Sequence, residues 1–204
     1  MALTNAYCSL ADVKASLRIP ASDTVDDALL VTAINSASRQ IDGICERVFY
    51  NAGTATRVYV PDDSTLVETD DLISVTTVET NSGDGFTVTI PATDYQLEPL
   101  NGIAGGISQP YTRIRVTGAY LFPVYQQRSV NLFEASVRVT GVYGWSAVPD
   151  AVEQAATLLA IRTFKRLDAP FGVAGFGDLG VIRVGRTDPD VEALLMPYKK
   201  PRMG

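Results

Sequence analysis

The sequence has 204 residues, of which 46% are hydrophobic and 20% charged, so it can bury a core without disulfides or a structural metal. It contains no histidine, which excludes a Ser-His-Asp triad, a Cys-His pair, an HExxH zinc site and a zinc deaminase site. A formal net charge of −6 argues against a protein that binds nucleic acid by neutralising phosphates.

The first part of the chain predicts two helices. Ser9 and Asp12 have the spacing of an N-cap with a carboxylate three residues later, and Pro20 ends this short first helix. Residues 24–27 repeat the start signal, and apolar residues then recur at steps of three and four. They form the apolar stripe of a second helix of about five turns: Leu30, Ile34, Ala37, Ile41 and Ile44.

Cys8 and Cys45 lie within these helical segments. Their wide separation, without CxxC spacing, makes a disulfide or zinc framework a poor interpretation, and we expect buried thiols. The polar side of the second helix is expected to face solvent, with Arg39, Asp42, Glu46 and Arg47.

From about residue 54 the apolar period changes to two, which is typical of strands. The candidates are residues 56–60, 65–68, 73–78, 86–90, 94–97, 112–117 and 135–143. Clusters of Gly, Asn, Asp and Pro between them indicate antiparallel pairing. Residues 119–133 fit an extended hairpin or loop.

Helical period returns after Pro149, and a third helix is expected to end near Leu167. A glycine-rich segment over residues 170–180 and a possible short strand over 181–184 follow. Asp188 as N-cap and Pro189 at the first helical position then open a short fourth helix.

These elements predict an α+β fold, in which about four helices from both chain ends form a small helical domain around an inserted antiparallel β-sandwich or barrel-like domain. The expected domains are residues 1–53 with the N-terminal helices, 54–147 with the β insert, and 148–204 with the C-terminal helices, glycine-rich loop and tail. No apolar run is long enough to cross a bilayer, and the N-terminus lacks the features of a signal peptide.

Three local patterns could carry chemistry. GFGDLG at residues 175–180 has the spelling of a dinucleotide-binding loop, but it follows a helix and precedes a strand, which reverses the required context. The pairs Asp62-Asp63 and Asp70-Asp71 could bind a cation or act as an acid and base, but adjacent carboxylates at strand ends more often form turns. Trp145 could stack on a sugar, although a core position is favoured.

Several stretches at both ends of the chain resemble the head-to-tail connector, or adaptor, family of tailed bacteriophages. The longest are AINSASRQIDGICERVF at residues 33–49 and VYGWSAVPDAV at 142–152. The shorter ones are YCSLADVK at 7–14, DAPFG at 168–172, GVIR at 180–183 and DPDVEALL at 188–195.

This resemblance implies a structural virion protein, not an enzyme, without cofactor, metal or membrane. It would form a homo-oligomeric ring, expected to be a dodecamer, between the portal and a stopper or tail protein in the virion neck, after synthesis in the host bacterial cytoplasm. DNA would pass through the lumen without specific binding, which an acidic subunit favours.

The resemblance also suggests where partners bind. The C-terminal helix and tail are the candidates for portal attachment, and deletion of residues 196–204 is expected to abolish portal binding without unfolding the subunit. The candidates are Leu194, Leu195, Met196, Pro197, Tyr198, Lys199, Lys200 and Arg202. Ring closure needs heterologous contacts, for which the candidates in the glycine-rich region are Phe171, Val173, Phe176, Leu179 and Arg183.

The main alternative is a carbohydrate or host-surface binding module built on the β insert. It would use aromatic side chains expected to be exposed, namely Tyr111, Tyr120 and Tyr125. A nucleotide-dependent enzyme that uses the glycine-rich spelling ranks third.

Overall fold

The chain forms two compact units, which we call the helical unit and the sheet unit. The helical unit comprises Met1–Phe49 and Val148–Gly204, and the sheet unit comprises Tyr50–Ala147. The structure is a computed structural model that describes residues 2–81, 85–127, 132–166, 173–174, 182–183 and 188–200. The predicted α+β class, with helices from both chain ends and an antiparallel sheet between them, is confirmed.

Four α-helices make up most of the described helical unit. They are α1 (Leu10–Leu17), α2 (Asp27–Cys45), α3 (Asp150–Lys165) and α4 (Pro189–Leu195), and a short 3-10 turn, Met196–Tyr198, follows α4. Two predicted N-caps are confirmed, because the Ser9 side chain accepts from the Asp12 N–H and the Asp188 side chain accepts from the Asp190 N–H. The start signal at residues 24–27 does not form such a cap, because α2 has Asp26 as its N-cap and no side-chain capping bond. Helix α2 packs against α3, and α3 packs against α4.

The apolar stripe of α2 forms the centre of the helical core. Leu30, Ile34 and Ile41 are completely buried, as the periodicity predicts. At the last turn the prediction is wrong by one residue, because Ile44 is 39% exposed whereas Cys45 is completely buried. A strict alternation of three and four residues drifts relative to a helix of 3.6 residues per turn, so the buried position moves by one at the end of a long stripe.

Six strands form the main sheet of the sheet unit, and every pair in it is antiparallel. They are β1 (Asn51–Tyr59), β2 (Leu66–Asn81), β3 (Phe86–Ile90), β4 (Tyr95–Glu98), β7 (Tyr111–Val116) and β10 (Val137–Gly144). The strand order is β1-β10-β2-β7-β4, and β3 pairs with β2 on the side opposite β10. Two-residue strands β5 (Ile103–Ala104) and β6 (Ile107–Ser108) form a separate pair.

Strand β2 is the central element of this sheet. Its 16 residues merge two strand candidates that the sequence separates at Asp70-Asp71. The first part of β2 pairs with β7, and the second part pairs with β10 and β3. A single apolar cluster packs against these strands, and its fully buried members are Val67, Leu72, Val78, Ile114, Val137 and Val139.

Two short hairpins complete the described elements. The extended hairpin expected within residues 119–133 is present as β8 (Tyr125–Gln127) paired with β9 (Leu132–Glu134). In the helical unit, β11 (Val173–Ala174) pairs with β12 (Ile182–Arg183). Strand β12 lies within the range 181–184, where the sequence predicts a short strand.

The two ends of the sheet unit lie side by side. The Trp145 N–H donates to the Tyr50 carbonyl over 3.2 Å, where the chain enters and leaves this unit. Gly144 has φ +98, and a Cβ at this position would lie 2.0 Å from the Tyr50 oxygen. Only glycine allows this close approach of the two chain segments.

Candidate interaction surfaces

The C-terminal portal candidates divide into buried and exposed side chains. Leu195 is completely buried, and Tyr198 is 8% exposed with its ring edge-on to Phe49 at a centroid distance of 5.9 Å. Met196 is 71% exposed and Pro197 is exposed beside it. The surface that remains for a partner is therefore formed by Met196 and Pro197, with the partly exposed Leu194, Lys199 and Lys200 nearby.

The segment after α4 is attached to the helical unit by its backbone as well. The Lys200 N–H donates to the Cys45 carbonyl over 3.0 Å, and the Lys199 ammonium pairs with Glu192 at 3.2 Å. Arg202, the last portal candidate, lies outside the described residues. A deletion that starts at Met196 would thus remove a buried ring and a hydrogen bond together with the exposed surface.

Of the five candidates for contacts between subunits, the structure brings two together. Val173 and Arg183 are direct partners across the β11–β12 pair. Phe171, Phe176 and Leu179 lie outside the described residues, as does the GFGDLG spelling at 175–180. The role of this region in ring closure stays a prediction.

A buried tyrosine joins the N-terminal segment to α2. The Tyr7 hydroxyl donates to the Asp42 carboxylate and accepts from the Phe49 N–H over 2.8 Å. Arg39 pairs with the same carboxylate at 2.8 Å. Burial raises the pKa of Asp42, against the opposing effect of Tyr7 and Arg39, and burial also raises the pKa of Tyr7. The expectation that Asp42 is a solvated residue is therefore wrong, because its carboxylate helps to hold Tyr7 in the core.

The pair Asp70-Asp71 is not a turn. Both residues lie inside β2, and the Asp71 carboxylate, 5% exposed, accepts the indole N–H of Trp145 over 3.0 Å. Asp70 accepts from Arg57 at 2.6 Å. Trp145 is 4% exposed, so its predicted core position is confirmed. A buried acidic side chain is tolerated here because it accepts a hydrogen bond from the buried indole.

The pair Asp62-Asp63 forms a turn, as expected for adjacent carboxylates between strands. Asp63 accepts from the N–H groups of Thr65 and Leu66, at 2.6 and 3.0 Å, and Asp62 accepts from the Glu68 N–H at 2.8 Å. The hydrogen bonds from Thr65 lower the pKa of Asp63. Among the residues that the structure describes, no group of three or more His, Cys, Asp or Glu side chains could hold a metal ion.

Ion pairs cross the strands of the sheet unit. Arg138 on β10 makes a bidentate pair with Glu79 on β2, at 2.8 and 2.9 Å, and its guanidinium lies 4.9 Å from the centre of the Phe86 ring. Arg115 on β7 pairs with Glu98 on β4 at 2.7 Å. Hydrogen bonds from these arginines lower the pKa of both glutamates. Oppositely charged side chains are thus matched between neighbouring strands.

The aromatic surface expected for a carbohydrate module is not formed by the described side chains. Tyr111 and Tyr120 are half-buried and pack against the apolar core of the sheet unit. The prediction that they are exposed is wrong, because the large ring of a tyrosine buries apolar surface against a core, whether it lies in a strand, as Tyr111 does, or between strands, as Tyr120 does. The side chain of Tyr125 lies outside the described part of the structure.

Both cysteines are buried free thiols, as predicted. Burial raises the pKa of Cys8, and it raises the pKa of Cys45 to about 11. Protonated, buried thiols are inert, so neither residue is suited to act as a nucleophile. No helix in the described ranges is long and apolar enough to cross a membrane.

Comparison with known proteins finds likeness in structure rather than in sequence. No family model and no curated protein matches the chain. A chain from a structure described as the neck of an empty gene transfer agent particle, computed with C6 symmetry, superposes with a TM-score of 0.57 and 19% identity, and the match covers 100% of this chain and 94% of that one. The chain has the fold of that neck protein.

A second structure, described as the virion of a native gene transfer agent particle, contains a chain that matches with a TM-score of 0.54 and 19% identity over the same shares of both chains. The coverage extends over both units, so the inserted sheet belongs to the neck-protein fold together with the helices. The connector resemblance in the sequence and this fold agree.

Within this neck-protein fold, sequence reasoning missed the partners of two buried aromatic residues. Tyr7 meets Asp42 across 35 residues of chain, and Trp145 meets Asp71 across 74. Neither pair leaves a local spacing that would reveal it. The available signal was the type of residue alone, since a buried Tyr or Trp usually has a hydrogen-bond partner.

Proposed function

We propose that this chain is a head-to-tail connector, or adaptor, subunit of a tailed bacteriophage or phage-like particle. The observation that carries the proposal is the end-to-end match to a chain from the neck of a gene transfer agent particle. The sequence resemblance to connectors supports it independently, because it rests on stretches near both chain ends rather than on the fold. The role is structural, and we assign no catalytic residue, cofactor or metal.

The functional form in this proposal is a homo-oligomeric ring, and twelve copies are the favoured number. The matched neck was computed with C6 symmetry, and a dodecameric ring contains that symmetry. A ring closes through heterologous contacts, in which two different faces of the subunit meet. The pair formed by Val173 and Arg183 remains our candidate for part of one such face.

The ring would lie in the virion neck, with the portal on one side and a stopper or tail protein on the other, after synthesis in the host bacterial cytoplasm. DNA would pass through its lumen without specific binding. The charge supports a conduit, because residues 51–147 carry ten acidic and five basic side chains and would gain little from phosphate contacts.

Portal attachment is assigned to the exposed part of the C-terminal segment. Met196 and Pro197 present apolar surface beside the two lysines Lys199 and Lys200. An exposed apolar residue flanked by cations suits a protein partner better than free solvent. Leu195 and Tyr198 would support this surface from inside the helical unit.

The first test is the mass of the purified protein, alone and mixed with its portal, by light scattering and negative-stain microscopy. Rings, or monomers that become rings on the portal, are the expected result. A monomer that ignores the portal would overturn the proposal.

Point variants test the attachment surface more sharply than a deletion. We expect Met196→Asp to weaken portal binding and Val25→Asp to leave it unchanged, because both side chains are exposed, at 71% and 87%, but only Met196 belongs to the proposed surface. Circular dichroism would check that both variants fold. Equal portal binding by Met196→Asp and the unmodified protein would contradict the assignment.

A further inference from the structure

The segment before α1 lies along α2 and is held there by side chains of that helix. We call residues 2–8 the N-terminal strap. The Asn35 side chain bonds to it twice, since it accepts from the Thr4 N–H over 3.0 Å and donates to the Ala2 carbonyl over 3.1 Å. One turn further along α2, the Arg39 guanidinium donates to a strap carbonyl over 3.0 Å. The helix thus fixes the course of the strap.

Tyr7 fastens the end of the strap inside the helical core. Its N–H donates to the Ser38 hydroxyl over 3.0 Å, and its own hydroxyl donates to Asp42 and accepts from the Phe49 N–H. Its ring stands edge-on to the completely buried Phe49 ring, at a centroid distance of 5.7 Å. The strap therefore places an aromatic ring directly against Phe49.

The C-terminal segment reaches the same phenylalanine. The Tyr198 ring also stands edge-on to Phe49, at a centroid distance of 5.9 Å. Two residues later, the Lys200 N–H donates to the Cys45 carbonyl at the C-terminal end of α2. Phe49 thus contacts both Tyr7 and Tyr198, and it links the strap to the segment that carries the proposed portal surface.

These contacts make the placement of the C-terminal segment depend on the strap. Protein interiors are close-packed, so neighbours shift when a buried ring is lost. Loss of the Tyr7 ring would remove support from Phe49, and through it from Tyr198. The 3-10 turn Met196–Tyr198 has only three residues, and hydrogen bonds in such a turn have poor geometry. Its position is therefore set by the packing of Tyr198 and not by the turn itself.

We propose that the N-terminal strap is a positioning device for portal attachment, and that Tyr7 is its acting residue. The strap holds Phe49, and Phe49 holds Tyr198, which presents Met196 on the surface. The inference rests on the proposed attachment surface, whereas Tyr7 itself is buried and does not contact the portal. A binding segment that is held in place before contact binds more tightly. If loss of the ring leaves the segment in place for about one tenth of the time, the apparent affinity falls about tenfold.

The free subunit tests this coupling without the portal. Tyr7→Ala removes the ring, whereas Tyr7→Phe keeps the ring and removes only the hydroxyl. We expect the Lys200 amide to exchange about tenfold faster in Tyr7→Ala than in the unmodified protein, measured by NMR hydrogen exchange, because its bond to Cys45 opens more often. Tyr7→Phe should keep most of the protection. An unchanged Lys200 exchange rate in Tyr7→Ala would overturn the proposal.

The matched control is Leu30→Ala. Leu30 is completely buried on the same helix, about four turns before Cys45, so its loss leaves a cavity in the same unit away from Phe49. We expect it to lower the free energy of unfolding without a comparable change in Lys200 exchange. Equal acceleration in Leu30→Ala and Tyr7→Ala would mean that the exchange reports general stability, and it would overturn the proposal.

Binding to the purified portal, measured by surface plasmon resonance, tests the consequence for attachment. Tyr7→Ala should bind about tenfold more weakly than the unmodified protein, whereas Tyr7→Phe and Leu30→Ala should bind nearly as well. Equal binding by Tyr7→Ala and the unmodified protein would overturn the positioning role and leave portal attachment standing. Failure of the unmodified protein to bind the portal would overturn the proposed function, and the inference with it.

A milder variant leaves all three rings intact and keeps the proposal testable if Tyr7→Ala does not fold. Asn35→Ala removes both bonds to the strap. We expect about threefold faster Lys200 exchange and about threefold weaker portal binding. Gln40→Ala is the control and should change neither quantity, because Gln40 is exposed on the same helix and bonds to Ser36 within it. Unless both quantities change in Asn35→Ala, the strap has no positioning role.

Discussion

The helical unit and the sheet unit satisfy their polar groups in different ways. In the helical unit, polar side chains lie inside: Tyr7 donates to Asp42, and Lys14, 5% exposed, pairs with Asp27 at 2.7 Å. In the sheet unit most ion pairs lie partly in solvent, such as Arg138 with Glu79. Removal of a buried hydrogen-bond partner strongly lowers the free energy of unfolding, whereas removal of a solvated ion pair changes it little. Similar contacts should therefore contribute differently to stability in the two units.

The largest expected effects come from the apolar cores and should be alike in both units. Leu30 in α2 and Ile114 in β7 are both completely buried. We expect Leu30→Ala and Ile114→Ala each to lower the free energy of unfolding by about 2–5 kcal/mol, because each leaves a cavity. Urea unfolding followed by circular dichroism measures both. A loss below about 1 kcal/mol for one of them would show that its unit repacks easily.

The buried carboxylate of the sheet unit is the exception to the comparison. Asp71→Ala should cost about 1–3 kcal/mol, because the buried Trp145 indole N–H loses its 3.0 Å hydrogen bond to this side chain. Trp145 is the single tryptophan, so its fluorescence reports the change locally. The control is Glu68→Ala, an exposed position on the same strand, which should leave stability and emission unchanged. Unchanged emission in Asp71→Ala would contradict the contact.

Two tyrosines compare the units most directly. Tyr7→Phe should destabilise the protein by about 1–3 kcal/mol, since it removes the 2.8 Å hydrogen bond from the Phe49 N–H and one of the donors to Asp42, which keeps its pair with Arg39. Tyr59→Phe removes a bond of 3.2 Å to Asp70, whose side chain is 49% exposed, and a contact with the Tyr143 hydroxyl. It should cost less, because the Tyr143 hydroxyl still donates to the Val139 carbonyl. Thermal unfolding of both variants gives the order, and the reverse order would refute the distinction between the units.

The smallest effect is the response to acid. The pKa of Glu79 is lowered by Arg138, so the stability from this pair is present above the unfolded pKa of a glutamate and is lost as the pH falls through the lower folded value. Because the pair is partly solvated, we expect a loss of no more than about 1 kcal/mol. Glu79→Gln should flatten the dependence of stability on pH below 5, measured by urea unfolding. An unchanged pH profile would mean that this pair contributes nothing.

The parts of the fold that the sequence predicts are those encoded by neighbouring residues. Ser9 and Asp188 mark helix starts through their own side chains, and the stripe on α2 is visible as a period. The long strand β2 was divided because Asp70-Asp71 has the composition of a turn, and the residue that makes Asp71 acceptable, Trp145, lies 74 positions away. Pairings of this kind depend on tertiary structure, which a local pattern does not contain.

The candidate surfaces show the same limit. The C-terminal segment was selected as a whole, but the structure divides it, because Leu195 and Tyr198 fill the core while Met196 faces solvent. Side chains change from buried to exposed within the three residues of the 3-10 turn. This element is too short to show a hydrophobic period in the sequence. The position of β1 at the end of the strand order has no local signal either, since a strand becomes an edge only through the order of the sheet.

The hydrogen bond between the Trp145 N–H and the Tyr50 carbonyl has a consequence for how this protein can change in evolution. Tyr50 at the start of the sheet unit and Trp145 near its end are hydrogen-bonded neighbours, so the 98 residues of Tyr50–Ala147 form an insert, or cassette, whose two ends lie together. A recombination event that exchanged this cassette, or shortened it to a tight turn, would leave the path of the helical chain in register. Gly144 sets a condition on such an exchange. A replacement segment whose two ends approach each other as closely needs a residue without a Cβ at the corresponding position.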